Sequence, residues 1–367
     1  MRIAYVATHV EPKNILGGVG QKISAQMRCW MDSGHSARLF ALMPNYRDRD
    51  VYTYEGYGAL PGIREMTRAI SRSLALNRLI EDVRNYQPDI IYLRCGGYIF
   101  PLERLFSIVP VVMELNTNDI AQRSLRGAYS YWSNVLTRGL VLSNVSGLVA
   151  VTHEIATLPA NAGFRKPFRV IGNGIDLQRY QPFEAPNNKT PTITLVGSSG
   201  MIWHGVDKLI CLAEICTDLN INIVGYERAD FAGPLPANLT AYGFLDRAAV
   251  AKVLMESDVA CGSLALHRNN MQEGSTLKVR EALAYGIPLL IGYRDMDLMD
   301  LESECLLELP NTEDNVVSHS AQIRSFAYRM RGRRIDRDEI APRIDQPIKE
   351  AIRLAFFEEI RGQHSRG

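Results

Sequence analysis

The chain has 367 residues, of which 46% are hydrophobic and 22% are charged, a balance typical of a globular protein that buries a full core. Its 41 Lys and Arg residues offset 40 Asp and Glu residues, so no overall charge attracts nucleic acid, and we expect no nucleic-acid partner. The six cysteines show no C-x-x-C spacing, which argues against structural zinc and against a disulfide framework.

The chain also lacks the usual targeting signals. Its first residues have no apolar core of a secretory signal, and no apolar run approaches the roughly 18 to 20 residues that span a bilayer. We therefore expect a cytoplasmic protein, and its length predicts two domains of ordinary size.

Short apolar runs alternate with helical stretches throughout, which is typical of β-α units around parallel sheets. In the first half, the predicted strands are residues 2–8, 37–42, 89–93, 109–115, 147–151 and 168–171. After a Pro- and Asn-containing linker at 181–191, the predicted strands are residues 192–197, 221–225, 239–242, 258–262 and 288–292. Apolar residues at helical spacing predict a last helix over 348–360.

This pattern predicts an α/β protein with two doubly wound domains in tandem. We place the first domain at residues 1–172 and the second at 173–344, with a C-terminal helical segment at 345–367.

A glycine loop, which includes Gly17 and Gly18, follows the first predicted strand and precedes a helix. Such a loop lets backbone N–H groups approach a phosphate, and the helix N-terminus adds partial positive charge. A tight β-α turn without a ligand explains the same residues, and this alternative stays open.

A second motif runs from Glu273 to Glu281 and reads as a loop that enters a short helix. Free N–H groups around residues 276–278, with the charge of Lys278, could hold a diphosphate at the helix end. The two carboxylates could then accept hydrogen bonds from sugar hydroxyls. An exposed helix with incidental glutamates is the alternative.

Together these motifs resemble those of GT-B glycosyltransferases, in particular the large retaining family 4. The two glutamates, separated by seven residues, resemble its donor-site motif. Three further segments resemble its glycine loop, its interdomain junction and the start of its donor domain, namely residues 17–20, 170–176 and 196–207.

The resemblance implies two Rossmann-like domains that face each other across a cleft, with a C-terminal helix that returns to the N-terminal domain. It implies a retaining, metal-independent enzyme that moves a sugar from a UDP- or GDP-sugar to a glycan, lipid-linked or small-molecule acceptor. We expect no metal and no cofactor. Glu273 would act at the catalytic centre by contacting the donor sugar, and Glu281 would hold the ribose.

The remaining site residues are expectations of the same kind. Asn116 and His153 are the further catalytic candidates on the acceptor side. Gly243, Phe244 and Leu245 follow a donor-domain strand and are the candidates for base recognition. The donor-binding candidates, besides Glu281, are Gly17, Gly18, Ser198, His204, Lys208, Gly274, Ser275, Thr276, Leu277 and Lys278.

The chain departs from the family pattern at several of these positions. Ser198 and His204 stand where many members have Arg and Lys, which weakens diphosphate binding unless Lys278, Lys208 or a protonated His204 compensates. Asn116 stands where members often have His, and an amide cannot shuttle a proton. These departures favour the alternative of a non-catalytic GT-B protein that binds a glycan or activates a partner, whereas the intact pair of glutamates favours an enzyme. A nucleotide-sugar epimerase also stays open.

Two other patterns have an ordinary explanation beside a functional one. The D-x-D sequences at 48–50 and 295–297 are interpreted as solvated turn residues, not metal ligands. Arg64, Arg68 and Arg72 form a basic stripe on a predicted helix. The stripe is either a solvated face or a peripheral contact with anionic lipid at the inner face of a membrane.

Overall fold

A computed structural model describes residues 1–8, 18–42, 51–53 and 64–364, and the side chains of all these residues except 51–53 and 64–68. The chain divides into two compact units. One consists of Met1–Ile171 with Gln346–Gly367, and the other is Gly172–Asp345. The domain limits placed from the sequence lie one residue away from these.

The first unit is built on a parallel sheet. Its strands are β1 (Arg2–Ala7), β2 (Ser36–Ala41), β3 (Val51–Thr53), β4 (Ile90–Arg94), β5 (Val111–Leu115), β6 (Gly147–Ala150) and β7 (Phe168–Val170). The spatial order is β3-β2-β1-β4-β5-β6-β7, with every neighbouring pair parallel. The order reverses between β1 and β4, and ligands of doubly wound sheets bind beside the carboxyl ends of the strands at such a point.

Helices cover this sheet, and side-chain caps fix where two of them begin. The Asn118 side chain accepts from the N–H of Ala121, and Thr152 accepts from the N–H of Ile155. The helices are α1 (Gly18–Asp32), α2 (Arg64–Tyr86), α3 (Asp119–Ser124), α4 (Ala128–Asn144), α5 (His153–Thr157) and α6 (Pro159–Ala162), with a 3-10 turn at Leu102–Leu105.

The second unit repeats the architecture. Its strands are β8 (Thr192–Val196), β9 (Asn220–Val224), β10 (Leu239–Ala241), β11 (Val259–Cys261), β12 (Glu273–Gly274), β13 (Leu289–Ile291), β14 (Arg294–Asp295) and β15 (Leu306–Glu308). Six of them form a parallel sheet of order β10-β9-β8-β11-β13-β15, while β12 and β14 pair separately. The order of the sheet reverses between β8 and β11.

The helices of this unit are α7 (Val206–Ile215), α8 (Arg247–Met255), α9 (Leu277–Ala284), α10 (Asn315–Ser318), α11 (Ser320–Met330) and α12 (Arg337–Ile344). The 3-10 turns are Leu177–Arg179, Ile202–His204, Arg228–Asp230 and Leu266–Asn269. Apolar side chains of the sheet, α7 and α11 form the core. Because helices pack on it, the sheet has mostly apolar strands, as the sequence pattern requires.

The last helix, α13 (Gln346–His364), belongs to the first unit. Phe356, Phe357 and Ile360 are buried in the same core as Trp30 of α1. The Trp30 indole N–H also donates to a carboxylate oxygen of Glu350 at 2.7 Å. The helix is therefore an integral layer of the first unit.

The predicted α/β fold with two parallel sheets is confirmed. Every strand predicted from the sequence is present, with ends within two residues of those observed. The strands that the sequence did not predict are β3, β12, β14 and β15, which have two or three residues each, too few to show a periodic pattern. In the part of the chain that the structure describes, no helix has both the length and the apolar character to cross a bilayer.

Candidate functional site

The loop that carries Glu273 is held by strand pairing. Strand β12 lies parallel to β14, and the N–H of Arg294 donates to the carbonyl of Gln272 at 3.1 Å. A Cβ atom on Gly274 would lie 2.7 Å from the ring of Tyr293, so only glycine fits.

A buried arginine, Arg280, ties the same loop to its surroundings. Its guanidinium donates to both oxygens of Asp295 at 2.7 and 2.9 Å, to Asp297 at 2.6 Å and to the Ser275 hydroxyl at 2.8 Å. Its Nε donates to the Asn173 carbonyl at 2.8 Å. Arg280 therefore holds the Ser275 end of the loop between the two glutamates against the buried carboxylates of Asp295 and Asp297.

The interpretation of Asp295 and Asp297 as solvated turn residues is wrong, because both are buried against Arg280. Sequence reasoning also missed Arg280 itself. The available signal was an arginine on a short helix whose neighbours Val279 and Ala282 are apolar. The other D-x-D sequence, at 48–50, lies outside the described residues. Within the described part of the chain, no group of three metal-ligating side chains gathers at one point.

Helix α9 begins without a side-chain cap. Thr276 occupies the N-cap position, but its hydroxyl is hydrogen-bonded to Tyr293 Oη at 3.1 Å. The N–H groups of Leu277, Lys278 and Val279 consequently have no acceptor among the described residues. An uncapped helix N-terminus of this kind binds anions through its free N–H groups and its positive dipole.

Lys278 meets His204 at this helix end. The Lys278 Nζ lies 2.7 Å from His204 Nε2, and His204 Nδ1 lies 2.8 Å from the Tyr226 hydroxyl. Burial, followed by the charge of Lys278, lowers the pKa of His204 to about 2, and burial lowers the pKa of Lys278 to about 7. His204 is therefore neutral, its Nε2 accepts from Lys278, and a protonated His204 does not supply the missing charge.

Two other donor-binding candidates, Lys208 and Ser198, differ in whether their side chains are free to bind a ligand. Lys208 Nζ donates to the carbonyls of Leu264 and Thr312 at 3.0 and 2.6 Å, and to Asn315 Oδ1 at 3.0 Å. An ammonium has three N–H donors, so Lys208 has none left for a diphosphate. Ser198, by contrast, is exposed just beyond the carboxyl end of β8.

The two glutamates have different environments. Glu273 is 9% exposed, and its nearest arginine nitrogen, on Arg294, is 3.6 Å away. Glu281 is partly exposed, and its carboxylate has no hydrogen-bond partner in the described part of the chain. Burial raises the pKa of Glu281, although Arg247 counteracts this. An unpaired, partly buried carboxylate gains most from a ligand that brings hydroxyl donors.

The base-binding candidates form a turn beyond β10. Glu227 accepts from the Phe244 N–H at 3.0 Å and lies against Gly243, which has a φ of +66°. This contact fixes the backbone while the Phe244 side chain is 85% exposed. Leu245 is partly exposed beside it.

In the first unit, Asn116 belongs to a buried charged cluster at the carboxyl ends of the strands. Glu114 accepts from Lys22 at 2.7 Å, from Arg94 at 2.8 Å, and from Tyr92 and Asn116 at 2.9 Å. Burial would raise the pKa of Glu114, but Lys22 and Arg94 hold it well below its usual range. Lys22 also donates to the Asn116 oxygen at 3.0 Å, so Asn116 is fixed from both ends of its amide.

The other candidates of the first unit are His153, on the acceptor side, and the donor-binding candidates Gly17 and Gly18. His153 is the exposed first residue of α5, beyond the carboxyl end of β6, and has no hydrogen bond to Asn116. Gly18 is the first residue of α1, so the glycine loop does enter a helix. Gly17 lies outside the described residues.

The comparisons with known proteins agree with this architecture. Residues 16–179 match the family model described as Glycosyltransferase Family 4. The sucrose-phosphate synthase of Thermosynechococcus elongatus is similar over 99% of this chain and 100% of its own, with 12% identity and a TM-score of 0.68. The Anabaena protein HepE, solved in complex with UDP and glucose, is similar over 97% and 99%, with 13% identity and a TM-score of 0.63.

An alpha-glucosyltransferase, solved with UDP-glucose and DNA containing an abasic site, is similar over 98% of this chain and 99% of its own, with 10% identity and a TM-score of 0.66. A comparison with curated protein sequences gives no match. The structural likenesses show the fold, and the family match covers most of the N-terminal unit. The resemblance found in the sequence is confirmed: the chain has the GT-B fold, and its N-terminal unit matches Glycosyltransferase Family 4.

Proposed function

We propose that the protein is a retaining, metal-independent enzyme that transfers a sugar from a nucleoside-diphosphate sugar to an acceptor held by its N-terminal unit. The observation that carries the proposal is the uncapped start of α9, where free N–H groups and Lys278 meet between Glu273 and Glu281. Charge builds on the leaving diphosphate as the bond to the sugar breaks, and preorganised donors stabilise that charge. Since the chain supplies these donors itself, the proposed reaction needs no metal ion.

Each group at this site has a role in the proposal. The N–H groups of Leu277 and Lys278 and the Lys278 ammonium bind the diphosphate, with the exposed Ser198 hydroxyl beside the end of β8. Glu281 accepts from the ribose hydroxyls, and the exposed Phe244 ring stacks on the base. Lys208 has no place in this site, because its three donors bind protein oxygens.

We assign Glu273 to positioning the donor sugar, and we propose that the acceptor attacks from the face that the diphosphate leaves. The leaving phosphate then accepts the acceptor's proton. A double displacement would need two carboxyl groups that flank the bond. Asp295 and Asp297, which lie on the paired loop, are committed to Arg280 and do not fill the second role.

The experiment that tests the proposal is a thermal-shift screen of UDP, GDP and their sugars, because a ligand that binds only the folded state raises the melting temperature. UDP-glucose is the first donor to test, since two proteins of similar fold were solved with UDP-glucose or with UDP and glucose. Slow hydrolysis of the bound donor should follow. Glu273→Gln should bind the donor and lose turnover, and near-normal turnover in this variant would contradict its role.

The second candidate function is a non-catalytic GT-B protein that binds a glycan or activates a partner. It is favoured by Asn116, whose amide is fixed by Glu114 and Lys22 and is therefore unsuited to moving a proton. This candidate predicts nucleotide binding, or none, without hydrolysis of any donor. Product analysis after incubation with each stabilising donor separates the two functions.

A further inference from the structure

Two adjoining pockets open in the first unit beside the carboxyl ends of β4 and β5. Their volumes are about 210 and 340 Å³, and they share part of their lining, including Gly96, Tyr98 and Arg123. We call the pair the arginine groove. It lies beside the strand ends at which doubly wound sheets bind ligands. Asn116, a catalytic candidate from the sequence, is part of its lining, but its arginines have no role in the description above.

The charges that line the arginine groove are unbalanced. The smaller pocket has four guanidinium groups against two carboxylates, namely Arg94, Arg123, Arg126 and Arg138 against Glu114 and Asp119. The larger pocket adds Arg72, and no acidic residue is present in its lining as far as the structure describes it. The groove therefore has a positive potential.

The two carboxylates are already neutralised by neighbouring cations. Glu114 is held by Lys22 and Arg94. Asp119 accepts from Arg138 Nε at 2.9 Å and from Asn134 at 2.7 Å. Neither carboxylate is therefore available to neutralise the remaining arginines.

Two guanidinium groups of the groove consequently have no carboxylate partner among the described residues. Arg123 donates to the Gly96 carbonyl and, at 3.4 Å, to the Ser130 hydroxyl, both of which are neutral acceptors. Arg126 is exposed, and its guanidinium has no hydrogen-bond acceptor among the described residues. Planar guanidinium groups suit phosphate and carboxylate, which they bind through paired hydrogen bonds.

Aromatic side chains line the larger pocket beside these charges. Tyr129 is 85% exposed and Phe100 is 63% exposed. Exposed aromatic rings of this kind bind apolar or ring-shaped groups through their faces. A ligand of the arginine groove should thus combine an anionic group with an apolar or aromatic part.

We propose that the arginine groove binds an acceptor that carries a phosphate or carboxylate, with Arg126 and Arg123 as its ligands and Tyr129 and Phe100 against its apolar part. The proposal rests on the proposed function in one respect, namely that the N-terminal unit holds the acceptor. The proposal adds the chemical class of that acceptor, namely a molecule with an anionic group.

Isothermal titration of the full chain with phenyl phosphate, benzoate and phenol tests the proposal. UDP is present at saturation, so that the donor site is filled. The two anions should bind, phenol should not, and added salt should weaken the binding. Arg126→Gln should weaken the binding of phenyl phosphate about tenfold, and Arg126→Lys should restore part of it. The matched control is Arg165→Gln, an exposed arginine of the same unit that lies outside the groove, and it should bind as the wild type does.

Equal binding of phenol and phenyl phosphate, or unchanged binding in Arg126→Gln, would overturn the proposal. Co-sedimentation with vesicles distinguishes the source of the phosphate. Arg126-dependent binding to phosphatidic acid but not to phosphatidylcholine identifies a lipid-borne group, and binding of phenyl phosphate alone identifies a soluble one.

The thermal shift with UDP and GDP is measured on the same variants, and Arg126→Gln should retain it. If no nucleotide stabilises any variant while phenyl phosphate still binds through Arg126, the proposed donor site fails and the anionic groove stands.

Discussion

The ammonium of Lys278 should make donor binding depend on pH. Burial lowers its pKa to about 7, and one of its three N–H groups is directed at His204. A bound diphosphate brings negative charge and so raises this pKa, which means that binding takes up a proton above pH 7. The affinity for the diphosphate should therefore be highest well below pH 7, where Lys278 is charged, and should fall as the pH rises through 7.

The size of the effect follows from the protonated fraction. With a pKa near 7, about nine-tenths of Lys278 is charged at pH 6 and roughly 3% at pH 8.5. If only protein with a charged Lys278 binds the donor, the affinity should fall about thirtyfold from pH 6 to pH 8.5. Well above the pKa, each pH unit should cost about 1.4 kcal/mol of binding free energy. A sugar nucleotide is the right probe, because its diphosphate has no free end that titrates in this range.

The assay is titration calorimetry from pH 6 to 8.5 with the sugar nucleotide that gives the largest thermal shift. Repeating it in buffers with different ionisation enthalpies counts the protons taken up. An arginine stays charged at every pH used, so Lys278→Arg should bind the sugar nucleotide well, with an affinity that does not change with pH. Lys278→Met has no charge at this position, so it should bind weakly, again with an affinity that does not change with pH. These controls also separate Lys278 from Lys22, whose pKa burial lowers to about 8. A flat wild-type profile, or a Lys278→Met profile as steep as the wild type, would refute the reasoning.

Three further substitutions test the donor site. Arg280→Met should lower the free energy of unfolding by about 3–5 kcal/mol in a urea titration, because it leaves buried carboxylates unpaired, and a loss under 1 kcal/mol would contradict this. Glu281→Gln should weaken nucleoside-diphosphate binding about tenfold at an unchanged melting temperature, since its carboxylate has no protein partner, and unaltered affinity would exclude it from the ribose site. Gly274→Ala should cost roughly 1–3 kcal/mol of stability because its Cβ would lie 2.7 Å from the Tyr293 ring, while a wild-type melting temperature would show that the loop can shift.

The sequence predicted the fold well because strand and helix periods are local properties. A parallel sheet with helices on it requires apolar runs such as 192–197 and 288–292, and these are readable without partners. The start of α9 between the two glutamates was also predictable, since these residues are neighbours in the chain. The missing cap was not, because it depends on the contact of the Thr276 hydroxyl with Tyr293.

The rest of the site depends on contacts between distant segments. The contact between Lys278 and His204 joins residues 74 positions apart. Asp295 and Asp297 resemble turn residues in the sequence, because nothing in the neighbouring residues shows that both carboxylates bind the buried Arg280. Lys208 looks like a free cation for the same reason. Burial and charge pairing, which decide these roles, are properties of the packed unit.

Helix α13 makes the first unit discontinuous along the chain, and this has a consequence for synthesis. The ribosome completes Ile171 long before it reaches Phe356 and Phe357, which fill the core beside Trp30. At translation rates of about 5–20 residues per second, the gap lasts roughly 10 to 35 seconds. During that time the nascent first unit lacks the side chains of α13 that cover the apolar surface around Trp30. The first unit is therefore completed only after the second unit has been synthesised, and a stop codon that removes α13 would damage the half of the protein made first.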